Sequence, residues 1–258
     1  MYVHISTINN YVCGLILTCI NMKTVFHAAS TRGHASHGWL NSYHTFSFGG
    51  YQNPDRVHFG ALRVLNDDTV SAGMGFGRHP HDNMEIISIP LSGDLEHQDS
   101  TGRQAVIRNG DVQVMSAGTG IAHSEKNHST SEEVKFLQIW VFPNKRNVTP
   151  RYDQQTFRPA DRHNQFQQIV SPSADDAGVW IHQDAWFQLG DFDAGQNTEY
   201  TIKRPENGVY VFVLEGSATV NGQPLQRRDG LGIWETDKLQ ITADSNTQLL
   251  LMDVPMSF

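Results

Sequence analysis

From Phe46 onward the chain is punctuated by Gly, Asn and Asp every eight to twelve residues, with short apolar or alternating runs between the marks: "ALRVL", "EIISIPL", "QAVIRNGDVQVM" and "VKFLQIWVF". Runs of that length bounded by turn residues are strands, and their even spacing is that of a sandwich or barrel. A helix would need apolar residues on a 3.6-residue period over ten or more positions. The nearest candidate, "SADDAGVW" after Pro172, is short and interrupted by Gly178. The rhythm therefore predicts an all-β protein.

A repeat lies inside it. "IISIPLSGDLEHQD" resembles "VYVFVLEGSATVNG", with Gly93 matching Gly216, and "RNGDVQVMSAG" resembles "RRDGLGIWETD". In each copy a strand ends at a Gly turn, a second follows, and a polar Gly/Asp turn precedes a third. Two copies of one β unit are expected, joined in the polar stretch Pro143–Phe166, with units at 22–145 and 146–258. "VNGQPL" carries Asn221-Gly222, the signal of a two-residue hairpin turn. "DAWFQLGDF" puts Trp186 and Phe187 in a core or inter-unit position.

Composition removes some functions. The net charge is −8 and no basic run occurs, so direct nucleic-acid binding through phosphates is excluded. The two cysteines, Cys13 and Cys19, rule out a disulfide framework in the body of the chain and fit a reducing cytoplasm. The most apolar run, Tyr11–Ile20, is about half a bilayer span and follows no positive charge, so no membrane association is expected. Residues 1–21 read as an upstream extension, with "MKTVFHAAS" from Met22 as an ordinary start.

The chemistry concentrates in "GFGRHPHDNMEI". His79, His81 and Glu85 share parity, so on one strand all three would face one side. Pro80 between the histidines marks an edge or strand entry. About forty residues later, "MSAGTGIAHSEKNHS" alternates His123 and Glu125 after a Gly-rich turn. A His-x-His and a His-x-Glu on two strands of one small β unit can converge on a single ion. With three imidazoles and one carboxylate, one or two coordination positions stay open, unlike closed thiolate-rich structural zinc sites.

The motif Gly73–Gly93, G-x5-H-x-H-x3-E-x7-G, is close to the first cupin motif, one residue longer before its last Gly. Gly110–Asn127 is a relaxed second cupin motif, with Ser116 where most cupins have Pro. "FSFGGY", "GFGRHPHDNMEII", "GDLEHQDSTG" and "GDVQVMSAGTGIAHSEKN" together resemble the pirin family of bicupins, and within it the bacterial members with quercetin 2,3-dioxygenase activity. The resemblance implies two tandem cupin domains of jelly-roll type. It also implies that the carboxylate ligand comes from the second motif, giving His79, His81, His123 and Glu125 as metal ligands. Cupins in general take it from the first motif, at Glu85. Here Glu85 is then expected behind the ligands, holding a histidine N–H or a backbone group, with Glu125 and Glu85 as the catalytic carboxylates. His97 matches a family position as a hydrogen-bonded structural residue. His27, His34, His37, His44 and His128 have no partner at ligand spacing.

The second copy lacks this set. Aligning Gly216 with Gly93 puts Ile202 and Arg204 opposite the two histidines of the first motif, and "KLQITAD" stands where His-x-Glu would be. It is expected to be a metal-free scaffold. The resemblance implies a metal-dependent dioxygenase: a flavonol-like aromatic enol binds, dioxygen adds, the ring opens and carbon monoxide leaves. The ion would be divalent, iron(II) first, with manganese, nickel, copper, cobalt or zinc suited to the same donors. Two other readings stay open: a metal-containing regulator that binds a protein partner without turnover, and a cupin isomerase that converts substrate without oxygen uptake.

Overall fold

A computed structural model describes residues 22–258; the extension at 1–21, with Cys13, Cys19 and the run Tyr11–Ile20, lies outside the described residues. The described chain is nearly all strand, with no α-helix and two short 3-10 turns at Ala29–Thr31 and Pro159–Arg162. Four sheets form. One seven-stranded sheet runs, in spatial order, Arg151–Thr156, Asp111–Ser116, Glu85–Ser92, Val134–Val141, Leu62–Val70, Leu40–His44 and Gly33–Ser36. It is covered by a four-stranded sheet of Gly75–His81, Ile121–Asn127, Leu95–Asp99 and Gln104–Ile107. The second half repeats the plan. Its seven strands are Lys23–His27, Gly230–Trp234, Asn207–Glu215, Thr247–Pro255, Trp186–Phe192, Phe166–Ser171 and Val179–Trp180. Its four-stranded sheet is Asn197–Thr201, Lys238–Ala243, Ser217–Val220 and Gln223–Gln226.

The repeat holds at its turns. Gly93 and Gly216 both follow the third strand of their large sheet with φ of 72° and 78°, and a Cβ on either would press on backbone at Glu133–Val134 or Asn246. Only glycine suits that corner. Asn221 and Gly222 take positive φ between the paired residues Val220 and Gln223, the two-residue hairpin turn the sequence predicts.

The division at 145/146 does not follow the sheets. Lys23–His27 pairs with Gly230–Trp234 of the second large sheet, and Arg151–Thr156 pairs with Asp111–Ser116 of the first. Each half lends the other an edge strand, which covers backbone groups that would otherwise stand open. The two large sheets face each other across one apolar layer that includes Leu62, Ile87, Val114, Leu137, Phe187 and Tyr210. Phe187 is fully buried there, as expected, while Trp186 is half-buried and donates its Nε1–H to Asp176 at 3.1 Å.

The two sandwich interiors differ. In the second half, Ile202, Val211, Leu239, Ile241 and Leu251 belong to one continuous apolar cluster. Ile202 thus fills space where the first copy has a histidine, and Arg204 sits outside, paired with Asp184. In the first half the apolar filling splits into two small clusters, one around Leu95, Ile107 and Phe136, the other around Ile86, Met115 and Ile121. Polar side chains occupy the space between.

Candidate metal centre

His79 and His81 lie on the strand Gly75–His81, and His123 directly faces His79 on the antiparallel strand Ile121–Asn127. Alternation brings all three into the sandwich. Ring centroids are 4.8 Å apart for His79–His81, 4.4 Å for His79–His123 and 4.9 Å for His81–His123. One ring nitrogen from each falls in a group within 4.8 Å. His79 Nδ1 lies 2.8 Å from the Gly77 carbonyl; a carbonyl only accepts, so this nitrogen carries the proton and Nε2 is free to ligate. Burial and neighbouring histidines push His81 down to about 4 and His123 down to about 3. At neutral pH these rings are uncharged, the state a metal ligand needs. Both nitrogens of the buried His123 lack a hydrogen-bond partner among the described residues, a costly arrangement unless something else engages them. The donor set fits a divalent transition ion.

Glu125 lines the same cavity as His79 and His81 but lies outside the three-histidine group. A β-bulge between His123 and Glu125 shifts the register, so Glu125 faces Phe76; bulges re-aim side chains in this way. The buried carboxylate accepts hydrogen bonds from Ser88 Oγ at 3.2 Å and Gln138 Nε2 at 2.8 Å.

Glu85 stands apart from the three histidines and, of the two roles expected for it, takes the one of holding a backbone group, at His182. Its parity with the histidines does not survive the turn at Asp82–Met84, where Asn83 has φ of 45°. On the strand Glu85–Ser92, Ser88 points inward to Glu125, while Ile87 and Ile89 join the layer between the two large sheets. Glu85 shares their face, so it holds no histidine. Its Oε2 accepts from Ser116 Oγ at 2.6 Å. Burial pushes its carboxyl up from 4.5 to about 7, against hydrogen bonds from Ser116 and the His182 backbone and the nearby Arg151 charge. The unfolded chain ionises this group first as pH rises. Its contribution is therefore fully present below about pH 4.5 and is lost by about pH 7, a loss of about 3 kcal/mol. Glu85→Gln should flatten that decline in urea midpoints measured from pH 4.5 to 7. An unchanged slope would place the titrating group elsewhere.

Ligand spacing alone sets aside His37 and His44, yet both line the cavity, with Asp68, Asn66, Gln138 and Trp140. His44 Nδ1 lies 3.0 Å from Asn66 Oδ1. Ser42 donates to Asp68, whose carboxyl burial pushes up to about 7. The signal was the same alternation: Leu40, Ser42 and His44 are the buried positions of their strand, and Asn66 and Asp68 are polar residues at buried positions of theirs. His97 is hydrogen-bonded as expected, at 2.9 Å to Asp99. His27 lies 2.8 Å from the Tyr210 hydroxyl inside the inter-sheet layer. His34 packs on Tyr43, and His128 stands exposed near Glu96.

Two cupin-type sandwiches, the first holding a three-histidine centre at the wall of a cavity, define a bicupin. Residues 25–141 match the family model Pirin, and residues 168–254 match the model of the quercetinase C-terminal cupin domain. The chain belongs to the pirin family. It is 44% identical over 231 residues to quercetin 2,3-dioxygenase of Escherichia coli (strain K12), covering 88% of this chain and 96% of that protein. It is 39% identical over 222 residues to a pirin-like protein of Caulobacter vibrioides, covering 86% and 95%. Its structure is similar to the crystal structure of the bacterial pirin YhhW from Escherichia coli in complex with nickel(II). The TM-score is 0.85 at 42% identity, over 90% of this chain and 99% of that one.

Proposed function

We propose that the chain is a metal-dependent dioxygenase that opens flavonol-like aromatic enols of the quercetin type. The observation that carries this reading is the cluster of three imidazoles at the edge of a cavity that also holds Glu125 and Asp68. In the proposed centre His79, His81, His123 and Glu125 hold one ion. Bound there, a divalent transition ion supplies Lewis acidity toward an enol hydroxyl. Iron(II) is our choice, because dioxygen is the co-substrate and histidine–carboxylate sites with open positions suit it. Glu125, fixed by Ser88 and Gln138, is placed to take the hydroxyl proton, since a positioned carboxylate near the reacting group serves as general base. Trp140 and Phe76 give the cavity apolar walls against which a planar ring can lie.

The cavity measures about 160 Å³, roughly the volume that takes one benzene ring. The reacting ring enters, and the rest of a flavonol stays at the mouth beside Phe48, Gly49 and Gly50. A Cβ on Gly50 meets open space, so Gly50→Leu should fold normally while narrowing the mouth. KM for quercetin should rise about tenfold with kcat nearly unchanged, the mark of lost uniform binding. An unchanged KM would mean the substrate enters elsewhere.

Two cysteines in 258 residues support a cytoplasmic setting, and no helix among the described residues is long and apolar enough to cross a membrane. The deciding experiment is dioxygen uptake with quercetin on protein of assayed metal content. Uptake that tracks metal supports the dioxygenase. Bound metal without oxygen uptake would overturn it, pointing to an isomerase if substrate is converted and to a protein-binding regulator if it is not.

A further inference from the structure

Behind the three-histidine centre lies a second pair of groups that the proposed reaction does not use. His97 is completely buried on the strand Leu95–Asp99, which pairs with the strand carrying His123. Its Nε2 lies 2.9 Å from Asp99 Oδ2. Asp99 is itself held: its Oδ1 accepts from the Thr101 backbone N–H at 2.8 Å and the Thr101 hydroxyl at 2.6 Å. Partial burial works against the charged form of Asp99, but those bonds and His97 together keep its carboxyl below the ordinary range.

An acceptor carboxylate fixes the tautomer of His97. The proton sits on Nε2, and Nδ1 presents a lone pair. That Nδ1 is buried with no partner among the described residues, as are both nitrogens of His123. The two rings are neighbours, with centroids 5.3 Å apart and planes at 44°. The two rings are not hydrogen-bonded as placed, but a head-on N–H···N bond between two imidazoles puts their centroids about 5 Å apart, so a turn of the rings alone would close one. Nearby alternatives are occupied. The Tyr152 ring packs on His97, but its hydroxyl donates to Gln154 at 2.6 Å. Glu125 faces His97 across the ladder, but a carboxylate has no proton to offer the Nδ1 lone pair.

We infer that His97, backed by Asp99, is the positioning residue for the ligand His123. One His123 nitrogen faces the ion and the other donates its N–H to His97 Nδ1, giving a relay Asp99–His97–His123. The relay satisfies the orphaned nitrogens together, orients the His123 ring, and raises its basicity as a ligand. The inference rests on the metal reading above and concerns metal binding, not turnover.

The test is titration of the metal-free full chain with nickel(II), with binding followed by calorimetry and by the absorption of the bound ion. His97→Phe keeps the packing against Tyr152 and removes the acceptor; nickel affinity should fall about 10- to 100-fold. His97→Asn is smaller, but its Oδ1 stands near the place of Nδ1 and can accept the His123 N–H; affinity should stay within about threefold of wild type. A purely structural His97 predicts the reverse order, because phenylalanine fills the buried site better than asparagine. Equal affinities in wild type and His97→Phe, or a weaker Asn than Phe variant, would overturn the relay and leave the metal centre standing. A wild-type chain that binds no nickel would overturn the metal reading and the relay together. Melting curves of the metal-free variants identify any that fail to fold, and Asp99→Asn, expected to weaken nickel binding in the same direction, then stands in for that variant.

Discussion

His123→Ala should leave the protein folded and nearly metal-free. His123 is the one member of the three-histidine group from the strand Ile121–Asn127, so its loss reduces the cluster to a two-histidine pair on a single strand. Loss of a ligand costs more than the roughly 10- to 100-fold that loss of a supporting hydrogen bond costs. Metal content should fall from about one equivalent per chain to near zero, and dioxygen uptake with quercetin should fall with it. The fold should survive, because neither ring nitrogen makes a hydrogen bond among the described residues and the neighbouring strands are locked by their own ladders. Metal analysis and an oxygen electrode check this on the same preparation. A variant that keeps a full equivalent of metal would move the ion away from this cluster.

The second large effect is expected far from the site. Phe187 is fully buried in the layer between the two large sheets. Phe187→Ala should cost about 3 to 5 kcal/mol, the usual range for deleting a buried aromatic ring. The layer is shared, so both halves should lose stability in one transition of urea unfolding. Two transitions, with the first half unshifted, would show that each half is stable without the other. Metal affinity of the folded variant should be unchanged, since the layer and the histidines lie on opposite faces of the first large sheet.

The residue pattern carried the architecture because strand alternation and turn chemistry are local: the Gly93 and Gly216 corners and the Asn221-Gly222 hairpin are all set by neighbours in the chain. His79, His81 and His123 were readable for the same reason, with His79 and His81 on one strand and His123 directly opposite His79 in the cross-strand register. Parity failed at Glu85, because a left-handed residue in the intervening turn restarts the count. It was also blind to the bulge that moves Glu125. The cavity wall formed by His44, Asp68 and Gln138 depends on how three strands lie side by side, and residue spacing carries no such information. Exchange of the edge strands is further still from local pattern, because the pairing partners stand about two hundred residues apart.

That exchange has a consequence for synthesis. Lys23 pairs with Trp234 and His27 with Gly230, so the first described strand leaves the ribosome long before its place in a sheet exists. At typical elongation rates the wait is about 10 to 40 s. Throughout it, Val25 and Phe26 travel as part of an unpaired segment while the first sandwich assembles around its histidines. The metal centre can therefore be complete before the protein is, and the strand Lys23–His27 is fastened only once Gly230–Trp234 has been made.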